Sequence, residues 1–223
     1  MKILAIDTSL AAAAVCVFDS DADVALAAET VWQARGHDET IVPLIDRTMR
    51  AAGGRDMRID RVAVTVGPGS FTGLRIGVSA AKAIGLALDA PVVGVSTLSA
   101  YVAQVMASHA EGVVAAAIDA RHGRVFVAAF LDGHPVLQPR VASAREAVRA
   151  IGSGPIRLAG PAAAALAIEA WRAGVEAEVF SDAAAPDISF VARLARAADP
   201  QSAPPRPLYL NPPETTLAPA AAS

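Results

Sequence analysis

The stretch AIDTSLAAAAVCVF at residues 5–18 returns in altered form as AIDARHGRVFVAAF at residues 117–130. Asp7 and Asp119, Val15 and Val127, and Phe18 and Phe130 share one offset, about half of the 223-residue chain. Each copy reads as an apolar strand ending in aspartate, a short turn and a second strand. A polar turn and a third extended stretch follow. Self-similarity on that scale predicts a duplicated fold. The later elements agree. In the first half, a helical pattern at 38–52 leads to a strand at 61–66, then Gly67-Pro68 and another helix. In the second, SAREAVRAI opens with a capping box of Ser143 and Glu146. It leads to a strand at 155–159, Gly160-Pro161, a helix, the strand VEAEVF and a helix at 188–198. Each half is read as β-β-β-α-β-α, a mixed sheet with helices on its faces. The expected division is a lobe at 1–100, a lobe at 101–200 meeting it near 97–110, and a proline-rich, extended tail at 201–223.

Composition narrows the function classes. Hydrophobic residues make up 54% of the chain and charged residues 18%, enough for a substantial core. The formal charge of −3 gives no overall basic field with which the chain alone would grip nucleic acid. Cys16 is the single cysteine, which excludes an internal disulfide and a multi-cysteine zinc site. It sits in an apolar strand pattern and is read as buried filler. The apolar run in MKILAIDTS is too short for a signal peptide or a membrane span, so a cytoplasmic protein is expected.

The segment GPGSFTGLRIG at 67–77 has the form of an anion-binding strand-to-helix turn. Neither common nucleotide signature fits. Gly73 is followed by Leu74 and Arg75 rather than the Lys-Ser/Thr of a P-loop. Thr72 stands where the dinucleotide fingerprint needs its third glycine. Ser70 and Thr72 are explained by helix capping, and Ser79 lies in a helical pattern rather than at a nucleophile elbow.

An aspartate-ended strand followed by a hydroxyl-rich turn, occurring twice, resembles the ground plan of the actin-like, sugar-kinase and Hsp70-like fold. In that fold the two turns face each other across a nucleotide cleft. The resemblance implies a possible vestigial cleft of Asp7, Thr8 and Ser9 opposite Asp119 and Arg121. The alternative is that both aspartates merely close turns. Four stretches together narrow the likeness: LAIDTS, GHDETIVPLID at 36–46, GPGSFTGLRIGVSAAKAIGLAL at 67–88, and DARHGRVF at 119–126, with PLYL at 207–210 in support. They resemble the TsaB (YeaZ) family. Asn211 departs from the arginine that often follows PLYL in it.

The resemblance implies a non-catalytic partner subunit in the formation of threonylcarbamoyladenosine on tRNA. It would pair with a TsaD-like catalytic subunit and a TsaE-like ATPase, which carry the metal and the ATP, and would bind no cofactor of its own. It would reach tRNA only through the complex and form homodimers when isolated. The residues agree on the metal. The catalytic relative uses two histidines four apart on one helix, whereas His37 here is followed four residues later by Ile41, which cannot ligate. His37 is then a polar residue at a helix start.

Gly73, Gly77, Ala81 and Gly85 recur every four residues and make a ridge of small side chains along one helix face. Glycine costs about 1 kcal/mol relative to alanine inside a helix, so the ridge calls for a close backbone. That backbone belongs either to the chain's own sheet or to a partner. The resemblance implies the partner. It places this helix and the one at 38–52 on the subunit face, with Ile41 and Ile45 as contacts and Arg75 and Lys82 as a charged rim. An actin-fold kinase or ATPase is the competing reading.

Overall fold

The structure is a computed structural model and describes residues 1–54 and 57–210. Two five-stranded mixed sheets form it. The first has strands β1 (Lys2–Asp7), β2 (Ala12–Asp19), β3 (Val24–Trp32), β4 (Arg61–Gly67) and β5 (Val92–Ser96), in the order β3-β2-β1-β4-β5. Helix α1 (His37–Ala52) joins β3 to β4, α2 (Phe71–Ala87) joins β4 to β5, and α3 (Thr97–Met106) follows. The second sheet has β6 (Val113–Asp119), β7 (Arg124–Leu131), β8 (His134–Ser143), β9 (Ile156–Ala159) and β10 (Ala177–Ser181), in the order β10-β9-β6-β7-β8. The helices of this half of the chain are α4 (Ala144–Ile151), α5 (Ala163–Arg172) and α6 (Ile188–Ala197). In both sheets the first two strands are antiparallel and the crossover strand pairs in parallel with the first. The duplicated plan expected from the repeat is the observed one. Strand β5, not recognised in the sequence, is the first-half counterpart of β10.

Strands covered on both faces read as continuous apolar runs, and β1 and β2 alternate strictly between two cores. Leu4, Ile6, Ala13, Val15 and Val17 pack under α1 and α2. Ile3, Ala5, Ala14, Cys16 and Phe18 pack with Ile188, Val191, Ala192 and Ala195 of α6. Cys16 is buried, which pushes its thiol up to about 12.

The helix α6 modifies the linear division of the chain. It lies at 188–197 yet packs on the first sheet. In the reverse direction, α3 packs chiefly on the second sheet, with Leu98, Tyr101, Val102 and Val105 against Val114, Ala116 and Ile118. The two helices also pack on each other. Each sheet is therefore closed on one face by the helix that ends the other half, and a cut at residue 100 would divide α3 and strip α6 from the first sheet.

Residues 203–208 of the tail run past the ends of β4 and β5. The Gly94 N–H donates to the Ala203 carbonyl at 2.9 Å and the Leu208 N–H to the Val66 carbonyl at 2.6 Å. Tyr209 stacks on Phe71 with centroids 4.9 Å apart. Asn211 and the rest of the tail expectation lie outside the described residues.

Candidate functional site

The turn after β1 is closed by backbone contacts with the glycine-rich loop. Asp7 Oδ1 accepts from the Ser9 N–H at 2.9 Å and from the Thr65 hydroxyl. The Thr8 hydroxyl donates to the Gly73 carbonyl at 2.7 Å, and the Ser70 N–H donates to the Ser9 carbonyl at 2.7 Å. Ser70 caps α2, its hydroxyl accepting from the Gly73 N–H at 3.3 Å. Asp7, Thr8 and Ser9 are all buried. Asp7 Oδ2 and Ser9 Oγ have no hydrogen-bond partner, and burial raises the Asp7 carboxyl above its ordinary value, against the pull of the Thr65 and Ser9 hydrogen bonds. A Cβ at Gly69 would lie 2.3 Å from the Ser9 carbonyl oxygen. The start of α2, where a phosphate would sit, is filled by the chain's own turn.

The opposing turn is not its equivalent. Ile6 pairs with Val15 and Ala117 with Val127, both on the faces covered by α1–α2 and α4–α5 respectively. Asp7 pairs with Ala14 and Asp119 with Val125. By alternation Asp7 shares a strand face with Ile3 and Ala5, under α6, whereas Asp119 shares one with Ala115 and Ala117, under α4 and α5. Equal spacing in the sequence has thus placed the two carboxylates on faces that do not correspond. Asp7 is buried, whereas Asp119 is exposed and accepts only the Arg121 N–H, at 2.9 Å. Arg121 and His122 have positive φ, 65° and 50°, ahead of Gly123. Among the described residues no hydrogen bond or ion pair links Asp119 or Arg121 to Asp7, Thr8 or Ser9. The expected pairing of Asp7 with Asp119 is therefore corrected.

The small-residue ridge also has a different neighbour from the one expected. Cβ atoms would lie 2.1 Å from the Thr8 carbonyl oxygen at Gly73, and 2.3 Å from Thr8 Oγ1 at the existing Gly77. At Gly85 the clash would be with Val92, at 2.3 Å. Gly73, Gly77, Ala81 and Gly85 are buried against the chain's own turn and sheet, as are Ile41 and Ile45 in the core. Of the six only Ile45 also reaches the outward side, where it lines the floor of the groove described below. The inward turn of the ridge has a local reason. Thr8 of the β1–β2 turn and Val92 of β5 lie against this face, and only a helix without side chains there can approach them so closely. Of the expected rim, Lys82 is exposed. Arg75 is turned toward the tail, its guanidinium 3.9 Å from the Phe71 ring centroid and its Nε 3.2 Å from the Tyr209 hydroxyl.

The outward surface of the same two helices holds a groove that residue spacing alone did not reveal. Its volume is about 580 Å³, and Val42, Pro43, Met49, Ile84, Ala87 and Leu88 are among its lining residues. Val42 is 62% exposed and the neighbouring Leu86 86%. Pro43, which lacks an N–H, sits in the first two turns of α1. The signal available in the sequence was the apolar residues at 42, 86 and 87, off the ridge. His37 is buried, with Nε2 3.1 Å from the Leu10 carbonyl oxygen, and ties α1 to the β1–β2 turn. Among the described residues no group of three or more His, Cys, Asp or Glu could hold a metal ion, and no helix is long and apolar enough to cross a membrane.

Comparison with known proteins places this geometry. The family model described as TsaD, tRNA N6-adenosine threonylcarbamoyltransferase, matches residues 31–200. The chain is 35% identical over 130 residues to the Escherichia coli K12 tRNA threonylcarbamoyladenosine biosynthesis protein TsaB, covering 58% of this chain and 55% of the relative. It is 31% identical over 126 residues to the TsaB protein of Bacillus subtilis 168, covering 56% and 53%. These matches span about half the length of those relatives. Two solved structures from Pseudomonas aeruginosa share the fold. An uncharacterized protein with similarity to peptidase YEAZ superposes with TM-score 0.74 at 24% identity, covering 94% of this chain and 99% of that one. YeaZ superposes with TM-score 0.69 at 23% identity, with the same coverage. The duplicated lobes are the actin-like fold, and the chain belongs to the TsaB/YeaZ proteins of the tRNA N6-adenosine threonylcarbamoyltransferase family.

Proposed function

We propose that this chain is a non-catalytic subunit in the synthesis of N6-threonylcarbamoyladenosine on tRNA. It pairs with a TsaD-like catalytic subunit, works with a TsaE-like ATPase, and leaves ATP and metal to those partners. The observation that carries the reading is the exposed apolar groove between α1 and α2. Contiguous exposed apolar surface marks a site of association, and the groove lies on the two helices that the family resemblance assigns to the subunit face. The closed turn at Asp7 supports the accessory role, since the Ser9 and Thr8 carbonyls occupy the space next to α2. Alone, the chain is expected to use the same groove to form a homodimer.

Reconstitution tests the reading. The chain is combined with a TsaD-like protein, a TsaE-like ATPase, ATP, threonylcarbamoyl-adenylate and tRNA, and the modified nucleoside is measured. Activity is expected only when the partner is present. Modification by this chain without a partner would overturn the accessory assignment. Tight, magnesium-dependent ATP binding by the isolated chain would favour the kinase-like alternative.

A further inference from the structure

The second lobe carries a cavity that the partner face does not use. Arg145 and Arg149, one turn apart on α4, and Arg172 at the end of α5 line a space of about 660 Å³, together with Ser143, Glu169 and Gly123 of the β6–β7 turn. All three arginines are exposed. Arg172 has a carboxylate, Glu169 Oε1 at 2.5 Å. Arg145 and Arg149 have no ion pair among the described residues. Glu146, also on α4, is committed to the capping box, accepting from the Ser143 N–H and hydroxyl, both at 2.8 Å. Its carboxyl is lowered from its ordinary value by those hydrogen bonds first and then by Arg124 and Arg140. The cavity itself is lined by three arginines and one glutamate, which Arg172 engages, on a chain whose net charge is −3. The cation excess is local, which total charge conceals.

Guanidinium forks match phosphate oxygens in geometry, and Arg is favoured wherever phosphate is bound at a surface. The lining contains no aromatic side chain on which a base could stack, so the cavity suits the phosphates of a polynucleotide rather than a whole nucleotide. Resting on the tRNA-modification reading above, but in place of the expectation that tRNA is reached only through the complex, we infer that the α4–α5 cavity holds backbone phosphates of the tRNA substrate. It would anchor the RNA from the second lobe while the first lobe holds the partner subunit. Phosphate contacts position RNA without reading its sequence, so the site is expected to be indifferent to tRNA identity.

The test uses the full chain and a fluorescently labelled, unmodified tRNA transcript, followed by anisotropy across a salt series. Wild type is expected to bind weakly, on the order of 10⁻⁴–10⁻⁶ M at physiological salt. The double change Arg145→Glu with Arg149→Glu is expected to weaken binding about tenfold or more and to flatten the salt slope by roughly 1.5–2, two phosphate contacts' worth. Arg35→Glu with Arg206→Glu alters the net charge equally from exposed positions elsewhere and is expected to leave affinity within about twofold. The milder pair Arg145→Gln with Arg149→Gln, with melting followed alongside, separates loss of charge from loss of fold. Equal losses in the two glutamate variants, or no tRNA binding tighter than about 10⁻⁴ M by wild type, would overturn the inference. Displacement of tRNA by stoichiometric ATP would instead assign the cavity to a small nucleotide. If the glutamate variants bind tRNA normally while reconstitution with the partner succeeds, the cavity assignment fails and the subunit assignment stands.

Discussion

The Thr8 hydroxyl donates to the carbonyl of Gly73, and a methyl group at Gly73 would lie 2.1 Å from the Thr8 carbonyl oxygen. The helix and the turn are thus in backbone contact, and that contact explains both the glycines and the closed turn. Gly73→Ala is expected to destabilise the fold by about 1–3 kcal/mol through overpacking, despite alanine's better helix propensity. Gly77→Ala should cost less, because the first atom it meets is a side-chain hydroxyl rather than backbone. Urea denaturation of both variants measures the order. Partner binding lost with stability unchanged would place the ridge at the interface after all.

The Asp7 carboxyl is buried with one oxygen unpartnered, and burial raises its pKa in the fold above the ordinary 3.8. The folded state therefore holds this proton more tightly than the unfolded one. Its contribution to stability is present below the unfolded value and is lost as pH rises from there through the folded value. Asn at position 7 keeps an oxygen for the Ser9 and Thr65 donors and does not titrate. The stability of Asp7→Asn relative to wild type is expected to improve steadily as pH is raised from about 4. Denaturation midpoints between pH 4 and 8 check this. A constant difference across that range would mean that Asp7 is not perturbed.

Tyr209 fastens the tail through its ring contact with Phe71 and its hydrogen bond from Arg75. An aromatic pair contributes about 0.5–1.5 kcal/mol beyond its area. Tyr209→Ala is expected to release residues 203–208 while leaving the two cores folded. Hydrogen exchange should quicken at the Gly94 amide, which donates to the tail, and at the Leu208 amide, which donates from the tail to Val66, and stay slow in β1 and β6.

Val42 stands at the mouth of the α1–α2 groove and is mostly exposed. Val42→Glu is expected to leave melting nearly unchanged, since exposed substitutions usually fall within about 0.5 kcal/mol. It should also abolish both homodimer and pairing with a TsaD-like subunit, because a charge would be buried unpaired. Light scattering and co-purification give the two readouts.

Period, turn residues and the half-chain repeat in the sequence by themselves determined the elements of both lobes, β5 and α3 excepted, and the small-residue ridge. Those signals are local, and every strand and helix they marked, from β1 to α6, is present. They could not determine register. The match of Asp7 to Asp119 was compelling as text, yet Asp7 lies on the strand face under α6 and Asp119 on the face under α4 and α5. Nor could they choose the ridge's neighbour. Period shows that Gly73, Gly77, Ala81 and Gly85 share a face, but only the tertiary approach of Thr8 and Val92 decides that this face turns inward. The exchange of α3 and α6 between the sheets belongs to the same class. An amphipathic helix states that it must be covered, and the partner that covers it is settled by chain connectivity and the closing of both sheets at once.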